Sequence, residues 1–149
     1  MIARQAGLAG FCRIFQGEQM SRAILDSYYA ALKAGDFATL EALLTPDICV
    51  RYYGPPGLLP WSGVHEGFAA YRRFLSLVRE HLEIVEVAQD AVIAEGDWIV
   101  VLGRGSWRAR ATGRDIAANM TNAFRIRDGR VAEYRVYTDT AAFAVALAP

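Results

Sequence analysis

Cysteine and histidine are scarce in this chain, and a surplus of charge of either sign is missing. Cys12, Cys49, His65 and His81 are all the thiols and imidazoles among 149 residues. Their spacing matches no metal-ligand set, so no metal site is expected. A Cys12–Cys49 disulfide stays open on arithmetic alone, but Cys49 lies in the strand-like run ICVRYY, where a thiol acts as a small buried hydrophobe. Sixteen Lys and Arg balance sixteen Asp and Glu. No basic excess is available to hold a phosphate backbone or an anionic bilayer, so neither nucleic acid nor membrane is expected as a partner. No apolar run approaches the roughly 20 residues that span a bilayer. The opening MIARQAGLAGFCRIFQGEQ is interrupted by Arg13 and lacks a signal cleavage site, so the expected location is cytoplasmic. Absent too are a Ser/His/Asp arrangement and a dinucleotide fingerprint; Gly103-Arg104-Gly105 is too short to cradle phosphates. No cofactor is expected.

What is present is the composition of one globular domain, with 54% apolar and 21% charged residues. Residues 1–19 are Gly-rich and weakly patterned. They read as an N-terminal extension packed on the domain or on a neighbouring subunit, ahead of a domain at 20–149. From Ser21 the pattern turns helical, with Ile24, Tyr28 and Leu32 at i, i+4, i+8 and Leu25 and Tyr29 beside them. Gly35 stops this helix and Asp36 starts a short one bearing Phe37, Leu40, Leu43 and Leu44. Thr45-Pro46-Asp47 breaks it, and Ile48–Tyr53 reads as a strand. Gly54–Gly63 is a loop that carries Leu58, Leu59 and Trp61, and so must bury apolar groups somewhere. Gly67–His81 is a third helix, with Phe68, Tyr71, Leu75 and Val78 on one side. Long strands follow at Leu82–Ala94, Trp98–Ala111 and Asp115–Arg127, with Gly103 and Gly105 predicting a bulge or bend.

The closing stretch NMTNAFRIRDGRVAEYRVYTD holds two alternating runs around Asp128-Gly129, a hairpin turn pair. Alternation puts Met120, Asn122 and Phe124 on one face, with Tyr134, Val136 and Thr138 beside them, and Ala123 and Val131 on the other. The element order predicts an α+β domain with helices on one face of a curved antiparallel sheet.

The helix ending SYYAALKAGD followed by FATLEALLTPD, the segment PWSGVHEGFAAYRRFL and the closing FRIRDGRVAEYRVYTDT together resemble the SnoaL-like branch of the nuclear transport factor 2-like superfamily. This superfamily also includes ketosteroid isomerases and limonene epoxide hydrolases, and the resemblance runs from Met20 to about Phe143. It implies a cystatin-like cone, a bent sheet wrapped around helices with a deep apolar ligand cavity. It also implies a homodimer formed through the outer sheet face. Position by position, the oxyanion-stabilising tyrosine of the isomerases matches Tyr28, and their oxyanion-hole acid matches Asn122. Their general base matches Tyr52, and the aspartate shared by polyketide cyclases and epoxide hydrolases matches Val136. Two polar handles are kept and both carboxylate bases are absent.

The candidate catalytic set is therefore Asn122, Tyr28 and His65. Asn122 is either a donor to a ligand carbonyl or a core amide satisfied by its neighbours. His65 is either a proton shuttle at the cavity entrance or an exposed loop residue. Tyr52, Trp61, Met120, Phe124, Tyr134 and Val136 are the candidate binding residues. Asp139 is expected to cap the segment after it, and Arg104, Arg108 and Arg110 to lie on the outer face. Three functions stay in view: a cofactor-independent cyclase, isomerase or dehydratase acting on an apolar carbonyl compound; a non-catalytic binding domain with the same cavity; and a protein-binding module.

Overall fold

The structure is a computed structural model. It describes the backbone of residues 5–149 and the side chains of residue 17 and residues 19–149. In chain order the elements are α1 (Gln5–Ala34), α2 (Phe37–Leu43), β1 (Leu44–Tyr52), β2 (Gly63–Glu66) and α3 (Gly67–His81). They continue with β3 (Leu82–Glu95), β4 (Trp98–Ala109), β5 (Asp115–Arg127), β6 (Arg130–Thr138) and α4 (Thr140–Leu147). The strands form one six-stranded sheet in the order β2-β1-β6-β5-β4-β3. All neighbours are antiparallel except β1 and β6.

Local chemistry sets the joints. Gly35, at φ +67°, ends α1 where a Cβ would be strained. The Asp36 carboxylate accepts the Thr39 amide at 3.0 Å and so caps α2. Asp128 and Gly129 both have positive φ, as the β5–β6 hairpin requires.

Four details differ from the pattern-based expectation. Helix α1 begins at Gln5 and runs straight through Met20. Whether the side chains of 1–16 pack on a neighbour, and the Cys12 half of the disulfide question, lie outside the described residues. Strand β1 starts at Leu44, not Ile48, and takes in the Thr45-Pro46-Asp47 break as an irregularity. Proline has no N–H to donate, so the ladder lapses between Leu44 and Cys49 and then resumes. His65 belongs to a short edge strand, β2, opposite Val50.

The fourth difference concerns Val131, placed by alternation on the outer face. It is 1% exposed and sits in the core. Val131 pairs with Ile126 while Glu133 pairs with Arg125, so Ala132 is an extra residue in β6. A bulge of this kind reverses parity on one side of itself, and alternation alone cannot reveal it.

The inner sheet face then reads as rows. Ile99, Phe124, Tyr134 and Val50 lie side by side, and the next row is Val101, Asn122, Val136 and Tyr52. Helices α1 and α3 cover these rows, with the Tyr28 ring edge-on to Phe124 at 5.3 Å and the Phe74 ring 6.5 Å from Tyr134. Further along β4 the inner positions are Gly103 and Gly105. A Cβ on Gly103 would sit 2.6 Å from the Ala88 carbonyl oxygen, so only glycine lets β3 approach. The Trp107 indole folds back over Gly105.

The outer face carries paired charges. Glu133 accepts from Arg135 and Arg51, Asp115 from Arg108, Asp97 from Arg125, and Asp90 from Arg104. Apart from Glu133, Arg135 and Arg51, which are half-buried, these partners are exposed, and solvent screens their attraction. No helix among the described residues is long and apolar enough to cross a membrane.

Candidate functional site

The inner face is lined by rings with polar tips. Tyr28 on α1 and Tyr71 on α3 bury their hydroxyls against each other at 2.9 Å. Asn122 is 5% exposed and points inward with Phe124. Its Nδ2 donates to the Tyr29 hydroxyl at 3.3 Å, and its Oδ1 accepts from the Tyr134 hydroxyl at 3.3 Å. The remaining contact of Nδ2 is the Met120 sulfur at 4.0 Å, a weak acceptor. One amide N–H is thus under-used, beside a half-buried methionine.

Burial pushes the Tyr28 and Tyr134 phenols well above their ordinary pKa, and raises Tyr71 to about 12 despite its bond to Tyr28. Burial also raises Tyr29 and Tyr52, with Asn122 and Trp61 respectively pulling the other way. At physiological pH this is an array of neutral donors and acceptors. Among the described residues the buried polar side chains other than phenols and indoles are Thr45 and Asn122. No carboxylate is among them.

The three candidate catalytic residues occupy three separate hydrogen-bond groups. Tyr28 is engaged with Tyr71, Asn122 with Tyr29 and Tyr134, and His65 with the Trp61 carbonyl, 2.9 Å from Nε2. The Phe74 ring packs both on the His65 imidazole, at 5.1 Å, and on Tyr134. Trp61 is buried against Tyr52, His81 and Phe143, which fastens the apolar loop to its own domain. Met120, Phe124, Tyr134 and Val136 all lie on the inner face, and Phe124 stacks on Tyr134 at 4.8 Å. Asp139 accepts the Ala142 amide at 3.3 Å and caps α4. Glu66 precedes α3 without a side-chain cap bond.

Two partners of the site were not singled out from sequence. Tyr29 neighbours Tyr28 on α1, and the doublet turns both rings into the cone. Tyr71 was visible only as one apolar position of an amphipathic helix. A groove of about 660 Å³ is lined by Glu86, Arg104, Ser106, Asn119, Met120 and Tyr137 among others, and so includes the methionine that contacts Asn122. Among the described residues no cluster of His, Cys, Asp and Glu is arranged to hold a metal ion.

No curated protein matches the sequence. Among solved structures, an NTF2-like protein from Burkholderia xenovorans LB400 is 28% identical, with TM-score 0.77 over 87% of this chain and 97% of that one. A Xanthomonas campestris protein with a cystatin-like fold is 26% identical, with TM-score 0.68 over 85% and 97%. TerC, co-crystallised with polyporic acid, shares the fold at 22% identity, with TM-score 0.76 over 86% and 98%. The SnoaL-like domain family model matches residues 25–134, from the middle of α1 into the last strand. That match takes in the aromatic wall and the inward amide together, and the chain belongs to the SnoaL-like domain family.

Proposed function

We propose that this SnoaL-like domain binds one small, mostly apolar, carbonyl-bearing molecule on the inner face of its sheet and does not transform it. The observation that carries the reading is Asn122, an inward amide with one N–H facing only a thioether, in a wall of neutral rings with no buried carboxylate among the described residues. An under-paired donor in an apolar wall favours a ligand oxygen over none. Tyr52, Trp61, Tyr134 and Val136 supply the flat apolar contacts, and displacement of the Met120 thioether admits the carbonyl. Tyr29 and Tyr134 hold the amide in orientation. Proton abstraction of the usual kind needs a base at the ligand, and His65 is committed to the Trp61 carbonyl with Phe74 between it and Tyr134. The exposed Leu102, Ile93 and Tyr137 on the outer face support association of two copies through that face.

Polyporic acid, the compound in the TerC crystal, is a suitable first probe. Saturable quenching of tryptophan fluorescence is expected, with recovery of the unchanged compound after prolonged incubation. Asn122→Leu is expected to weaken binding about tenfold, equivalent to about 1.4 kcal/mol. Equal affinity in the variant would remove the amide from the site, and catalytic conversion of the probe would restore the enzymatic alternative.

A further inference from the structure

Helix α4 buries Phe143 and Ala146, and Phe143 is the larger of the two side chains, set between Trp61 of the apolar loop and Trp107 of β4. The sequence of that helix is TAAFAVAL, and Phe143 is its one aromatic side chain. The ring is 2% exposed and lies 5.1 Å from the Trp107 indole and 6.4 Å from Trp61. Trp107 rests on Gly105, and Trp61 leads on to Tyr52. Phe143 therefore closes a continuous run of rings reaching from the rim towards Asn122.

The helix that carries this ring is weakly self-sufficient. Eight residues are far too few to hold a helix in water without tertiary contacts. Its attachments are countable. Asp139 caps its start, and its last carbonyls are clamped from one turn of the sheet. Thr112 Oγ1 donates to the Ala146 carbonyl at 2.6 Å, and Arg114 Nη1 donates to the carbonyls of Val145 and Ala148 at 3.1 and 2.7 Å. Arg114 is exposed, and Val145 on the far side of the helix faces solvent.

We propose that α4 is a displaceable plug, with Phe143 holding between Trp61 and Trp107 the place that a flat aromatic ring of the ligand takes when the helix lifts away. The inference rests on the binding function above and narrows its ligand to an aryl carbonyl compound. One ring replaces another against the same two indoles, and release of the helix also gives up the packing of Ala146, so the exchange returns part of the core contact and not all of it. Opening is set by the Thr112 and Arg114 clamps, and the apparent affinity is the intrinsic affinity scaled by the fraction of molecules with α4 released.

The test uses the double variant Thr112→Val/Arg114→Ala, which removes the clamps and leaves Phe143 and the inner face untouched. The probe is acetophenone, followed by tryptophan fluorescence, with amide hydrogen exchange read on α4 and α3. The expected result is faster exchange in α4 but not α3, together with about fivefold or greater tightening of acetophenone binding. Saturating acetophenone is also expected to speed α4 exchange in the unmodified protein. Arg114→Ala alone, a change at the exposed rim, gives the same directions where the double variant does not fold. Unchanged α4 exchange in the variant overturns the clamp, and released α4 with unchanged affinity overturns the plug. In that second case equal, measurable binding by both proteins leaves the binding function standing. No binding by either removes both.

Discussion

Replacing either member of the Tyr28–Tyr71 pair by phenylalanine isolates one physical term. Both tyrosines are in the core, 1% and 0% exposed, and each hydroxyl is the other's partner at 2.9 Å. Tyr71→Phe leaves the ring packing intact but strands the Tyr28 hydroxyl away from water. The expected loss is the desolvation of that orphan plus the net bond, about 2 kcal/mol in all. Tyr28→Phe strands Tyr71 in the same way and is expected to cost a similar amount. The double variant removes both polar groups, leaves no orphan, and is expected to be no less stable than either single one. A double-mutant cycle in urea therefore yields a coupling of about 2 kcal/mol or more. Additive losses, with the double variant near twice the single, would refute the view that these phenols are mutually dependent. An unchanged stability in the single variants would show that water reaches the pair.

The same burial predicts alkaline sensitivity. Tyr71 titrates at about 12 in the fold and near 10 unfolded. The unfolded chain loses that proton first, so stability is intact below about pH 10 and falls as pH rises towards 12, by about 2–3 kcal/mol from Tyr71 alone. Urea midpoints across that window measure this, and Tyr71→Phe is expected to lessen the fall, with the other raised phenols, Tyr28 and Tyr134 foremost, leaving the rest. Gly103→Ala places a Cβ 2.6 Å from the Ala88 carbonyl oxygen and is expected to cost about 1–3 kcal/mol by pushing β3 away. Gly17→Ala, with open space at its Cβ and a helical backbone, is expected to stabilise by up to about 1 kcal/mol, and equal thermal shifts for the two would contradict the close approach. Sedimentation at micromolar concentration is expected to show a dimer that Leu102→Glu converts to monomer; a monomer in the unmodified protein would remove the proposed role of the outer face.

Much of the architecture is legible in the chain itself. Gly35-Asp36 marks a helix end and a cap by the chemistry of those two residues, and Asp128-Gly129 marks the hairpin in the same way. The inward set Met120, Asn122 and Phe124 follows from the two-residue period of a strand. Val131 shows where that logic stops. Parity propagates only through an unbroken ladder, and Ala132 breaks it. Strand β2 was missed because four residues are too short for a period, and because its pairing with β1 is a long-range event. The doublet Tyr28-Tyr29 was visible, but nothing local says that one ring seeks a partner on α3 and the other an amide on β5.

By itself the sequence determined which residue types recur on which strand face: one asparagine with Met120 and Phe124 on β5, and tyrosines at helical and strand spacing elsewhere. Those are facts of residue identity and periodic spacing, which local chemistry sets. The tertiary structure alone decided who satisfies whom. It paired Tyr28 with Tyr71, left one N–H of Asn122 against sulfur, turned Val131 inward and seated Phe143 between two indoles. Hydrogen-bond partners and ring contacts join residues dozens of positions apart, and only the closed packing of sheet on helix brings them within reach.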